Sequence, residues 1–237
     1  MSTEPNFTNT IEEWSNFFIP LADGVQLAAR AWLPTNAIEQ PVPAILEYIP
    51  YRKRDGTAIR DEQMHPYWAA FGYACVRVDM RGCGESDGLL IDEYLQQELE
   101  DAVEVIGWLA QQDWCSGKVG MMGKSWGGFN SLQVAALRPT ALKAIITVCS
   151  TDDRYADDIH YRGGALLTEN FSWASTMSCY MAKAPDPLLL PETWREHWLE
   201  RLQNMPLLAK NWLEHTYKDA YWKHGSINED YSAIKAA

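Results

Sequence analysis

The 237 residues are 47% hydrophobic and 22% charged, with a net charge of −12 and an isoelectric point near 4.8. That balance excludes a disordered or low-complexity chain, because it supplies enough apolar surface for a folded core. The negative charge argues against nucleic acid and anionic membrane surfaces, both of which would repel it.

The N-terminus, MSTEPNFTNTIEEW, is polar and acidic and has neither the basic nor the apolar region of a signal peptide. No apolar run approaches the ~20 residues of a membrane span. Five cysteines (Cys75, Cys83, Cys115, Cys149 and Cys179) make an odd number without close C-x-x-C spacing. They read as reduced thiols, and the expected location is the cytoplasm.

Residues 25–33 and 43–49 read as strands bounded by Asp-Gly and Pro. Residues 61–71 read as a helix that Pro66 starts or interrupts. A short apolar strand at 74–80 runs into a glycine-rich loop. The clearest helix is 93–111, where Leu95, Leu99, Ala102, Ile106 and Leu109 share one face, with Asp92 as its expected N-cap. Then come a strand at 118–123, a helix at 126–137 stopped by Pro139, and a strand at 143–150 read as buried. Strands separated by helices imply βαβ crossovers in a mainly parallel sheet.

From about residue 151 the pattern changes. Residues 151–190 show no clean periodicity, and 191–216 look helical but are punctuated by Pro191 and Pro206. The expected division is a core over 1–150 and a mostly helical cap insertion over 151–237.

The sharpest chemical signal is Gly123-Lys124-Ser125-Trp126-Gly127-Gly128, a G-x-S-x-G segment between a strand and a helix. A serine at such a turn sits in strained backbone, and its neighbours must be glycines because side chains there would collide. The turn lifts the Ser125 hydroxyl above the sheet and aims the Trp126 amide at the position of a developing oxyanion. The loop Arg81-Gly82-Cys83-Gly84-Glu85-Ser86-Asp87-Gly88 fails the G-x-G-x-x-G pattern of nucleotide binding and reads as a shaping loop. The segment Tyr48-Ile49-Pro50-Tyr51-Arg52-Lys53-Arg54-Asp55 lies at the carboxyl end of a strand, where ligands bind in open α/β sheets. Its spacing alone fits either an oxyanion-binding tyrosine or a packing aromatic beside a solvated basic cluster.

The stretches PYRKRDG, VRVDMRGCGESDG, LEDAVEVIGWLAQQDWCSGKVGMMGKSWGGFNSLQVAAL and TDDRYADDIHYRGG together resemble the cocaine esterase and X-prolyl dipeptidyl peptidase family. The resemblance covers about residues 15–235. It implies an α/β-hydrolase fold, with a mainly parallel sheet, flanking helices and a helical cap. It makes Ser125 the nucleophile, with Tyr51 and the Trp126 amide as the oxyanion hole. DAYWKHGS, with Tyr221 and Trp222, resembles the segment where the cap returns to the core.

The triad of this fold runs Ser, then Asp or Glu, then His. In the family the acid follows the cap in a Gly-Gly-Trp-x-Asp-like segment, and the histidine comes later. Neither segment occurs in these residues, nor does the family's C-terminal jelly-roll domain. The fold is therefore expected to be incomplete at the C-terminus, an N-terminal part with little activity of its own. His65, His160, His197, His215 and His224 read as surface or packing residues, although His160 follows the strand beside the elbow. Asp152, Asp153, Asp157 and Asp158 form either a solvated loop or a carboxylate site for a substrate ammonium group. The resemblance supports the second, and Asp157 and Asp158 are the candidates should either face inward.

The expected function is a serine hydrolase of ester or amide bonds. Esterase, acylase and X-prolyl dipeptidyl peptidase all remain open. The alternative is a non-catalytic binding or assembly module on a hydrolase scaffold. No cofactor or metal is expected. Expected partners are a small ester, amide or peptide substrate, and either a second copy or a complementing C-terminal part at the unfinished sheet edge.

Overall fold

The structure, a computed structural model, describes residues 9–237. Residues 1–8, which carry much of the N-terminal reading, lie outside the described residues. One sheet runs in the order β1–β2–β4–β3–β5–β6. Its strands are β1 (Ile11–Pro20), β2 (Gln26–Pro34), β3 (Val42–Ile49), β4 (Ala74–Asp79), β5 (Cys115–Lys124) and β6 (Leu142–Val148). β2 is antiparallel to β1 and to β4, while β4, β3, β5 and β6 are mutually parallel. The sequence reading missed β1. It is an edge strand whose register breaks between Trp14 and Phe17, so its side chains do not alternate cleanly.

Three crossover helices follow: α1 (Ala58–Ala70), α2 (Gln96–Ala110) and α3 (Trp126–Ala136). The step from β3 to β4 crosses the sheet one way, and the steps to β5 and β6 cross it the other way. Right-handed crossovers therefore put α1 on one face and α2 and α3 on the opposite one. The alternation along β3 records this, since Glu47 points to Arg60 and His65 of α1 while Tyr48 lies against α2. Leu46, Tyr48, Val76, Val78, Met121 and Phe129 belong to the main core under α2 and α3. The reversal of direction opens a crevice between the carboxyl ends of β3 and β5, where Tyr51 and Ser125 follow their strands.

Beneath α1 the filling is ionic. The Arg60 Nη2 lies 2.5 Å from Glu47 and 2.6 Å from Asp61. Buried Arg77 lies 3.5 Å from Asp61. Glu47, Asp61 and His65 are close enough together to hold a cation, but the two guanidiniums already occupy that position. α1 continues through Pro66, which neither starts nor interrupts it. The bond lost at Pro66 is offset by the buried contacts of Asp61, His65, Ala69 and Ala70 on either side.

Two other expectations are corrected. Asp92 does not cap α2: the helix starts at Gln96, and Tyr94 N–H donates to Glu98 instead. Asp92 is claimed by donors from the segment after β6, the Trp212 indole at 3.0 Å and the Tyr221 hydroxyl at 2.8 Å. The strand expected to be buried, β6, is the last of the sheet. Ile146 and Val148 are 56% and 47% exposed because, among the described residues, nothing covers that side. An apolar groove of about 330 Å³ runs there between α1 and β6, lined by Ile45, Trp68, Met122 and Ile146. Ala237 pairs in parallel with β6, accepting from Ile145 N–H and donating to the Lys143 carbonyl.

The segment after β6 carries α4 (Glu169–Met181), α5 (Trp194–Asn204) and α6 (Leu208–Glu214). α4 escaped the sequence reading because its buried face, Asn170, Ala174, Met177 and Met181, is mixed in polarity. Pro206 splits the long helical stretch into α5 and α6, since it cannot donate to a helical ladder. This segment is tied to the sheet by buried polar groups. Arg154 and His160 reach Glu93, Arg201 reaches the Gly84 and Ser86 carbonyls, and Arg52 reaches the Lys183 and Ala184 carbonyls.

Candidate active site

β5 ends at Lys124 and α3 begins at Trp126, so a single residue makes the turn. That residue, Ser125, has φ 57° and ψ −118°, a left-handed backbone that a serine adopts only under constraint. The constraint is steric. A Cβ on Gly123 would lie 2.3 Å from the Gly127 carbonyl carbon, and one on Gly127 would lie 2.7 Å from Ile49. Gly123→Ala should therefore force backbone apart, with a loss of at least about 3 kcal/mol and a fall in Tm of roughly 10 °C. Thermal unfolding followed by circular dichroism checks this. A Tm within 2 °C of the parent would mean that the elbow has slack.

The structure brings Tyr51 to the same spot. Its hydroxyl faces both the Ser125 hydroxyl and the Trp126 amide. Burial, together with the nearby Glu93 charge, raises the phenol well above its ordinary range against the pull of these hydrogen bonds, so it stays protonated as a donor. Trp173 and Tyr180 of α4 hold the ring, at 6.1 and 5.8 Å between centroids. Two donors thus converge beside the Ser125 hydroxyl, the geometry an oxyanion requires.

The neighbouring Arg52 and Lys53 are not a solvated cluster. Lys53 is fully buried against Glu85 at 2.5 Å, and Arg52 spans Asp55 and the Lys183 and Ala184 carbonyls. The loop after β4 has the shaping role expected of it. Ser86 accepts from Ala28 N–H and donates to the Asp79 carbonyl, and Glu85 neutralises Lys53.

A cleft of about 330 Å³ opens over Ser125, lined also by Glu93, Phe129, Cys149, Asp158 and Trp173. The four clustered aspartates separate here. Asp152 bonds the Tyr231 hydroxyl, and Asp153 is held by Lys218 and two backbone amides. Asp157 lines the rim, with its side chain 56% exposed and paired to Arg162. Asp158 is 6% exposed and leaves its Oδ2 without a hydrogen bond.

Burial and the Glu93 charge push Asp158 up to about 6, against His160 and Arg154. Ionised Asp158 is thus disfavoured in the fold, which holds a proton that the unfolded chain has released. Stability falls as pH rises through roughly 3.8 to 6. Asp158→Asn should remove that penalty, raising Tm at pH 7.5 by an amount equivalent to about 3 kcal/mol and changing little at pH 4. The same Tm difference at both values would contradict it.

Glu93 is a site residue that the sequence reading missed. Burial pushes its carboxyl up, but His160, Arg154 and the Trp173 indole together pull it down to about 2. It stands ionised in the cleft wall, 2.6 Å from His160 and 2.8 Å from Arg154. Its only sequence signal was a glutamate inside the Ile-Asp-Glu-Tyr turn before α2.

The five histidines are engaged elsewhere. His65 meets Glu47, His160 meets Glu93 and Asn170, and His215 meets Asp219. His224 lies against Arg154 and the Glu93 carbonyl, and His197 lies 3.9 Å from Asp87.

A profile of the X-Pro dipeptidyl-peptidase (S15) family matches residues 23–237. Cocaine esterase of a Rhodococcus strain is 35% identical over 158 residues, covering 65% of this chain and 26% of that protein. The chain thus spans about a quarter of that relative's length. A CocE/NonD family hydrolase from Staphylococcus aureus superposes with a TM-score of 0.73 at 23% identity, over 94% of this chain and 39% of the other. An α-amino acid ester hydrolase gives 0.67 at 22% identity, over 97% and 43%. The fold is that of the α/β-hydrolases.

Proposed function

The chain belongs to the X-Pro dipeptidyl-peptidase (S15) family, and from that premise we propose that it forms the nucleophile-bearing part of a serine hydrolase of ester or amide bonds. Ser125 attacks the carbonyl, and Tyr51 with the Trp126 amide receives the oxyanion. The observation that carries this reading is the strained Ser125 backbone directly opposite the Tyr51 hydroxyl. A non-catalytic module would have no use for that strain.

The general base and its carboxylate come from polypeptide outside these residues. Two features support this: four histidines are hydrogen-bonded to other groups and His197 lies beside Asp87, and among the described residues nothing covers the apolar groove next to β6, where added elements would pack. The test is to assay the whole protein and its Ser125→Ala variant on p-nitrophenyl esters. Activity that survives the substitution would exclude Ser125 as the nucleophile.

The same cleft selects the substrate. Asp158 is among its lining residues, with Oδ2 buried, without a hydrogen bond and 4.0 Å from the Arg154 guanidinium, and Glu93 adds a negative charge beside it. With its carboxyl at about 6, Asp158 is mostly ionised near neutral pH, and a substrate ammonium group would offset the cost of burying that charge. Asp157, exposed and paired to Arg162, takes the lesser role at the rim. A charge-assisted bond of about 1.5–3 kcal/mol corresponds to roughly 10–100-fold in kcat/KM. Esters with a free α-amine should exceed their N-acetyl analogues by that factor in the whole enzyme, and Asp158→Asn should erase the difference. Equal kcat/KM for both substrates in the parent would return Asp158 to a packing role.

A further inference from the structure

We infer that Glu98 is a positioning residue of the oxyanion hole, holding the supports of both its donors from behind the nucleophile. The inference rests on the reading of Ser125, Tyr51 and Trp126 as hydrolytic machinery, and adds a residue that touches none of the reacting atoms.

Glu98 lies in the first turn of α2, almost fully buried, on the side of the elbow away from the cleft. Its Oε1 accepts the Trp126 indole N–H at 2.8 Å and the Asn130 amide at 3.4 Å. Trp126 and Asn130 are four residues apart and so share one face of α3. Asn130 donates in turn to the Tyr48 carbonyl at 2.7 Å, on the strand that carries Tyr51 three residues later. The other oxygen of Glu98 takes the Tyr94 amide at 2.8 Å. One carboxyl group therefore grips the side chain of the residue whose amide is the first donor. Through Asn130 it also ties α3 to the strand of the second.

The demand for such a grip is geometric. Ser125 is in a strained conformation, and the peptide between Ser125 and Trp126 would relax by rotating. That rotation would swing the Trp126 amide away from Tyr51. A site of this kind must hold its donors to within about 0.5 Å. The indole is a long lever on that peptide, fully buried and packed against Tyr94 and Trp173 at 5.3 and 6.4 Å. Only its hydrogen bond to Glu98 fixes its rotation by a directional contact. Burial pushes the Glu98 carboxyl up to about 8 against these donors. Near neutral pH it therefore does not set a full negative charge behind the forming oxyanion.

The test is a double-mutant cycle in the whole hydrolase, with Ser125→Ala as control. Glu98→Ala and Trp126→Phe should each lower kcat by about 10–100-fold and leave KM within twofold. The double variant should lose no more than the worse single one, because both break the same link. Glu98→Gln should be intermediate, since an amide can accept on one side only. In the 237-residue chain itself, the Trp126 indole N–H resonance, assigned by its loss in Trp126→Phe, should move upfield in Glu98→Ala. Losses that multiply in the double variant, or an unmoved indole resonance in a folded Glu98→Ala chain, would overturn the inference alone. A wild type without activity, or activity that survives Ser125→Ala, would overturn the hydrolase reading and the inference with it.

Discussion

Purified as these 237 residues, the chain should hydrolyse p-nitrophenyl acetate at no more than about 10³–10⁴-fold over water. A serine hydroxyl is a weak nucleophile at neutral pH unless a base removes its proton. His65, His160, His215 and His224 are hydrogen-bonded to other groups, and His197 lies beside Asp87. His160, the one nearest in sequence to the elbow, points at Glu93 and Asn170 rather than at Ser125. What remains is the pair of oxyanion donors and the cleft, which bind and polarise a carbonyl without activating the attacking group. The whole hydrolase proposed above should be faster by at least a further 10²–10³-fold, and Ser125→Ala should abolish that gain. Rapid turnover by the 237-residue chain, lost in Ser125→Ala, would mean that a local group had taken the role of base.

Tyr51→Phe should cost the whole enzyme about 10²–10³-fold in kcat, the usual loss on removing one oxyanion donor. KM should change less than threefold, because the phenol meets charge that appears only in the transition state. Phenylalanine retains the packing against Trp173 and Tyr180, so folding should persist, and the loss can be read as chemistry. The raised pKa of the phenol also bears on pH dependence. A tyrosine that stays protonated contributes no alkaline limb below pH 9, so any such limb in the parent must belong to another group. A kcat within threefold of the parent would leave the Trp126 amide as the only working donor.

Local patterns carried much of the fold and the core of the site. The elbow was legible in G-x-S-x-G because glycine is required wherever backbones approach too closely for a side chain, and that requirement is written residue by residue. α2 was legible because its apolar face repeats with the helical period, and the parallel sheet followed from the alternation of strands and helices. The residue pattern placed Tyr51 only at a strand end, and it was the family resemblance that paired it with Ser125 and the Trp126 amide. Only the β3–β5 adjacency sets its hydroxyl against Ser125.

The tertiary structure alone decided the polar interior. Glu93, Arg154, His160, Lys53 and Glu85 look like surface residues in sequence, because a charge is buried only when its partner arrives from a distant segment, and local sequence does not name that partner. The same reason separates Asp158 from Asp157. The two are adjacent in the chain and alike in chemistry, yet one is buried beside Arg154 and the other is exposed at the cleft rim and paired to Arg162. It also explains Asp92, which has the composition of a helix cap but is taken by the stronger donors of Trp212 and Tyr221. Backbone geometry is dictated by neighbours along the chain. The environment of a charge is dictated by neighbours in space, and those exist only once the chain has folded.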